Sequence, residues 1–103
     1  MIETTSRDRI EVLVDAPLAP TLAQLSEKVG LTGHTLIRTE SGRGRHGEWS
    51  EDLISGATAK YIFLAIANRE KADRFLEALV PLLDSHGLVV LRSTVEVIRP
   101  ERF

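Results

Sequence analysis

Apolar and polar residues alternate from Arg9 to Asp15: Ile10, Val12 and Val14 share one face, and Leu13 stands on the other between Glu11 and Asp15. That period of two predicts a β-strand. Residues 1–8 carry no period and form either a loose arm or an extension of this strand. After Pro17 and Pro20 the spacing changes, and Leu18, Leu22, Leu25 and Val29 recur at helical intervals. A helix is predicted to begin near Pro20 or Thr21 and to end at Gly30, a residue suited to the left-handed turn after a helix. A second strand is expected over about residues 33 to 40, through Thr35, Leu36, Ile37 and Thr39. The run SGRGRHGEWSEDLISGA follows, polar, with four glycines and no steady period. Ala59 to Ala67 (AKYIFLAIA) is apolar on both faces, which predicts a central strand. Asn68 then offers a helix N-cap and Glu70 a first-turn charge that complements the helix dipole. Ala72, Phe75, Leu76, Leu79, Val80 and Leu83 make one helical stripe, and Pro81 within it predicts a bend or a division. Gly87 closes this helix, Leu88 to Ile98 reads as a long final strand, and Arg99 to Phe103 is a short basic tail.

The order βαββαβ defines an α+β, ferredoxin-like domain with an antiparallel sheet and two helices on one face. At 103 residues the chain is expected to form a single domain, 1–103, with one core. The opposite sheet face must be solvated or covered by another copy. The doubled apolar character of the third strand and of Leu88 to Leu91 favours oligomerisation over burial by the long loop. In so small a body a sizeable ligand is expected on the surface or between copies.

Hydrophobic residues make up 43% of the chain and charged ones 27%, ordinary for a globular protein, and the formal net charge of −2 gives no field to recruit nucleic acid or acidic membrane. With no cysteine, disulfides and thiolate chemistry are excluded. The first residues lack a signal-peptide apolar run and no stretch of about 18 apolar residues occurs, so a cytoplasmic protein without membrane insertion is expected.

Gly42-Arg43-Gly44-Arg45-His46-Gly47 formally fits G-x-G-x-x-G, but it opens a polar loop where the dinucleotide fingerprint should open a helix. No Walker lysine follows. What remains is a loop whose glycines admit close backbone approach and whose arginines offer positive forks to phosphate or carboxylate; the alternative is a solvated loop that binds nothing. His34, His46 and His86 lack ligand-like spacing, so turn or surface positions are expected for them and no metal is predicted. The serines sit in no nucleophile elbow, and no enzyme is predicted. Trp49, the only tryptophan, either packs locally or meets a partner. An RNA-recognition motif shares the element order, yet its glycine–aromatic signature is missing.

Val29-Gly30-Leu31-Thr32-Gly33-His34-Thr35, followed by Ser41-Gly42-Arg43-Gly44-Arg45, resembles the PII nitrogen-regulatory family pattern, and Val97-Ile98-Arg99 resembles its closing strand. The resemblance covers residues 9 to 99 in element order. It implies a homotrimer that binds adenine nucleotides between neighbouring subunits, with loop 42–57 as the flexible T-loop equivalent that docks on a target protein. By resemblance, Thr35 matches the adenine-side threonine, Gly44 and Arg45 the loop-base pair, Gly87 the last glycine before the final strand, and Arg99 the first tail arginine. The implied nucleotide contacts extend to Leu13, His46, Ala65, His86, Leu88 and Arg102. Departures from the pattern are a shorter loop without the modified tyrosine, His46 for glutamine, Leu88 for a triphosphate-binding lysine and Glu101 for the second tail arginine. Fewer cations favour ADP or AMP over ATP. The same departures resemble the PII-like branch linked to inorganic carbon and the carboxysome, which implies bicarbonate as a co-ligand near Arg43, Arg45 and Arg102, and a transporter or enzyme of inorganic-carbon or nitrogen metabolism as target. The competing expectation is a trimeric divalent-metal-binding protein of the CutA type.

Overall fold

A computed structural model of the protein describes residues 2–44, 47–50, 59–99 and 101. The chain runs through β1 (Thr5–Asp15), a 3₁₀ turn (Ala16–Leu18), α1 (Ala19–Lys28), β2 (Thr35–Arg38), β3 (Ser41–Gly44), β4 (Gly47–Ser50), β5 (Lys60–Ala67), α2 (Arg69–Ser85) and β6 (Val89–Val97). Strands β2, β5, β1 and β6 form one antiparallel sheet in that order, and β3 pairs with β4 in a separate hairpin. The expected ferredoxin-like arrangement is present, with β1 and β5 as inner strands.

Of the two expectations for residues 1–8 the strand extension is the one observed, and the division expected at Pro81 does not occur; both have local causes. Residues 5–8 extend β1, because the β6 partners Val97, Glu96, Val95 and Thr94 satisfy their backbone in register. Pro81 lies inside an undivided α2. Its missing donor falls near Glu77, on an exposed stretch of helix where water satisfies a carbonyl at little cost.

The helix ends follow their residues. Asn68 accepts a hydrogen bond from the Lys71 backbone amide at 2.9 Å and caps α2. Past α1, Gly30 adopts φ +88°, and its amide donates to the Glu27 carbonyl while that of Leu31 donates to Ser26. Those two bonds make a Schellman terminus, with buried Leu31 as its apolar contact.

Pleat alternation sorts the sheet faces. Ile10, Val12 and Val14 from β1 and Phe63, Ala65 and Ala67 from β5 are buried beneath the helices with Leu22, Ala72, Phe75 and Leu79. In register on the opposite face lie Leu13 with Ile62 and Val89, and Glu11 with Leu64 and Leu91. Ile37, Val89 and Leu91 there are 43%, 52% and 58% exposed, which leaves an apolar sheet face uncovered within one chain.

One ion-pair network locks the sheet edge to the helix layer. Arg92 of β6 donates from Nε to Asp8 Oδ2 at 2.8 Å and also from Nη2, and Nη2 lies 2.8 Å from Asp73 Oδ1 of α2. The two carboxylates, Asp8 first, raise the guanidinium pKa further above its ordinary value. The Asp8 side chain is 11% exposed and that of Asp73 57%, so water screens the Asp8 contact less than the Asp73 contact. Asp8→Ala is expected to cost about 2 kcal/mol and lower the melting temperature by roughly 10 °C. Asp73→Ala should cost under about 1 kcal/mol. Equal losses in thermal melts of the two variants would contradict this ranking.

Candidate functional site

The polar run after β2 is in part a hairpin. Ser41 pairs with Ser50, Gly42 with Trp49, Arg43 with Glu48 and Gly44 with Gly47, where a loop through residues 42–57 was expected. Serine, glycine and arginine have little strand preference, so the pairing is not visible in the local pattern. Trp49 supplies the missing stabilisation from across the strands. Its indole occupies the space above Gly42, where a Cβ would overlap ring atoms Cζ2 and Cη2.

The same indole ties the hairpin to the main sheet. Trp49 Nε1 donates to Thr39 Oγ1 at 2.9 Å, and that hydroxyl donates in turn to the Lys60 carbonyl at 2.7 Å. The Thr39 amide reaches the same carbonyl at 3.1 Å. Lys60 Nζ stands 5.2 Å from the Trp49 ring centroid and 2.7 Å from Asp15 Oδ1. An ammonium shared between a carboxylate and an indole face favours one hairpin position. Of the two sequence expectations for Trp49, local packing is the one observed.

Beside this anchor lies a cleft of about 770 Å³. It gathers Leu13 and Asp15 from the end of β1, Gly44, Gly47, Glu48 and Trp49 from the hairpin, Lys60, and Leu83 to Val90 in part from the α2–β6 turn. Gly87 makes that turn at φ +58°, a conformation that favours glycine. Of the sequence candidates, Leu13, Gly44, Gly87 and Leu88 therefore line one cavity. Thr35 and Ala65 line another, about 250 Å³, with Thr32, Gly33, His34, Leu64 and Ile66 at the β2–β5 edge.

The charged candidates stand differently. Arg43 is paired across the hairpin with Glu48 at 2.9 Å, and Arg99 lies 3.5 Å from Glu101. Both pairs are well exposed and worth little, so either guanidinium is available to a stronger anion. His86 is exposed, with Nδ1 2.8 Å from Ser85 Oγ, and is not among the residues lining the larger cleft. Arg45, His46 and Arg102 fall outside the described residues, as does the stretch 51–58. Among the described residues no group of three His, Cys, Asp or Glu is placed to hold a metal ion, and no helix is long and apolar enough to cross a membrane. Lys60, Asp15 and His34 are site residues that the sequence pattern did not single out for binding. Nothing local marks them, because each gains its place from a strand or ring distant in sequence.

Gly42→Ala is expected to dislodge the indole, shifting the emission of the only tryptophan to the red and increasing its quenching by acrylamide, with a small change in melting temperature. Emission and quenching identical to the parent protein would contradict the anchor.

Comparison with known proteins gives consistent results. The family model described as nitrogen regulatory protein P-II matches residues 7–102. A search of curated protein sequences finds no match. Among solved structures, the chain is similar to CPII, a nitrogen regulatory PII-like protein from Thiomonas intermedia K12, bound to ADP, AMP and bicarbonate. The TM-score is 0.91 at 23% identity, covering 100% of this chain and 98% of that one. It is also similar to a PII-like signaling protein from Thermus thermophilus, with TM-score 0.85 and 16% identity over 99% of each chain. A CutA from Synechococcus elongatus PCC7942, complexed with Bis-Tris, superposes less well, with TM-score 0.63 and 13% identity over 95% of this chain and 87% of that one.

Proposed function

Because the chain belongs to the nitrogen regulatory protein P-II family, we propose that it is a non-enzymatic signalling protein that forms a homotrimer and binds adenine nucleotides between its subunits. The observation that carries this reading is the division of the candidate residues between two clefts. Leu13, Gly44, Gly87 and Leu88 gather at one and Thr35 and Ala65 at the other, so neither cleft alone holds a complete set. Each is open, and a site completed by a neighbour's opposite cleft uses both. The uncovered apolar face with Leu13, Ile37, Ile62, Leu64, Val89 and Leu91 gives such neighbours a surface to bury.

In this site Thr35 faces the adenine side, while the backbone at Gly44 and Gly87 approaches the phosphates without side-chain obstruction. Arg45 and Arg99 provide the positive charge, with His46, His86, Leu88 and Arg102 lining the phosphate end and Leu13 and Ala65 the base and sugar. Leu88 brings no charge to a γ-phosphate, which favours AMP and ADP over ATP. Bicarbonate is the proposed co-ligand, held by Arg43, Arg45 and Arg102, and the bicarbonate in the Thiomonas intermedia K12 structure supports that choice of anion. Loop 42–57 is the surface that docks on a cytoplasmic target, a transporter or enzyme of inorganic-carbon or nitrogen metabolism. Its docking changes with the occupant of the cleft.

Isothermal titration should show micromolar binding of AMP and ADP and weaker binding of ATP. Arg45→Ala and Arg99→Ala should each reduce affinity at least tenfold, and adding bicarbonate to the nucleotide-loaded protein should tighten it further. The absence of heat with all three nucleotides would overturn the reading. Sedimentation should report a trimer, and Leu91→Glu, a change on the open face, should dissociate it into folded subunits. A monomeric parent protein would refute the shared site.

A further inference from the structure

His34 lines the smaller cleft but has been given no role there, and its surroundings are specific. Its imidazole lies nearly parallel to the Phe63 ring, with centroids 4.9 Å apart and an interplanar angle of 14°. Phe63 stacks in turn with Phe75 of α2, at 5.4 Å and 26°. Both phenylalanines are fully buried, whereas His34 is exposed and lines the smaller cleft beside Thr35, Leu64 and Ala65. Among the described residues its ring makes no hydrogen bond or ion pair. The imidazole is thus stacked on a rigid core beside the smaller cleft, and among the described residues its nitrogens have no partner.

We infer that His34 is a stacking platform for the nucleobase and a determinant of purine over pyrimidine choice. The inference rests on the nucleotide-binding reading above and deepens it. A flat ring already fixed on Phe63 loses little freedom when a second flat ring settles against it, so most of the contact contributes to affinity. Base–aromatic stacking grows with overlap and tolerates many bases, which makes the two-ring purine the better occupant. Thr35, the next residue along the chain, brings a hydroxyl to the edge of a base so placed. The small Ala65 leaves the adjoining floor free of bulk.

The test compares AMP with UMP on the parent protein, His34→Phe and His34→Ala. A platform predicts that the parent prefers AMP, that His34→Phe keeps both affinity and preference, and that His34→Ala loses roughly tenfold for AMP with a smaller loss for UMP. In parallel, the ring-proton resonances of His34 in the parent protein should move upfield on adding AMP and stay in place with ribose 5-phosphate, a readout that needs no variant. Unchanged AMP binding in His34→Ala, equal losses in His34→Phe and His34→Ala, or ring protons indifferent to AMP would each overturn the inference while leaving the broader reading intact. A parent protein that binds no nucleotide overturns both.

Discussion

The pleat of the inner strand β5 sends Phe63, Ala65 and Ala67 into the layer beneath the helices and Ile62, Leu64 and Ile66 to the opposite face. Both destinations are apolar, and that is the constraint from which the rest follows. The helix side is satisfied within one chain, where Phe63 meets Phe75 and the β1 residues Ile10 and Val12 close the layer. Among the described residues no element covers the other side. A sheet of four strands with both helices on one face leaves its second apolar surface exposed within the subunit, the surface proposed above for association of copies. The two clefts of the chain lie at the edge and the end of this sheet.

Electrostatics arranges these edges more than it stabilises the whole. The exposed pairs Arg43–Glu48 and Arg99–Glu101 contribute little to folding. They keep two guanidinium groups near the chain surface without committing them. The Arg92 network differs, because Asp8 is nearly buried and the arginine joins two strands and a helix. One arginine is structural and two are exchangeable, a distinction set by the burial of the acid beside each. Among the described residues, the exposed arginines proposed for anion recognition are therefore separate from the one that holds the fold.

Much of this architecture was legible in the chain. Alternation marked β1 and a run apolar on both faces marked β5, the α1 and α2 stripes followed helical spacing, and Asn68, Gly30 and Gly87 sit at the expected ends with the geometry their chemistry allows. Gly87 and Gly44 line one cleft of the single chain. What local pattern did not reveal was the hairpin. Its strands lack intrinsic preference for pairing, and its stability comes from one indole filling a glycine gap and bonding to Thr39. His34 was hidden for the same reason. A histidine near a turn is an ordinary residue until the fold brings Phe63 under its ring. Both are products of tertiary contact, which overrides local propensity wherever a large aromatic is involved.

The short pair β2–β5 connects these two hidden features. At one end, Thr35 lies opposite Leu64 beside the His34 cleft. At the other, beyond the Arg38–Tyr61 pair, Thr39 bonds to Lys60 and receives the Trp49 indole. Four paired positions span roughly 10 Å of strand. Such a ladder cannot shift register without moving Phe63 out of the core, so it transmits position with little slack. If neighbouring copies complete each cleft, one subunit's rigid ladder presents its base-binding end to one site and its hairpin anchor to the next. The hairpin's position and the fit of the base are then set by one structural element. The hairpin that carries Gly42 to Gly44 is thus fixed to the strand pair whose far end borders the cleft proposed for the nucleobase.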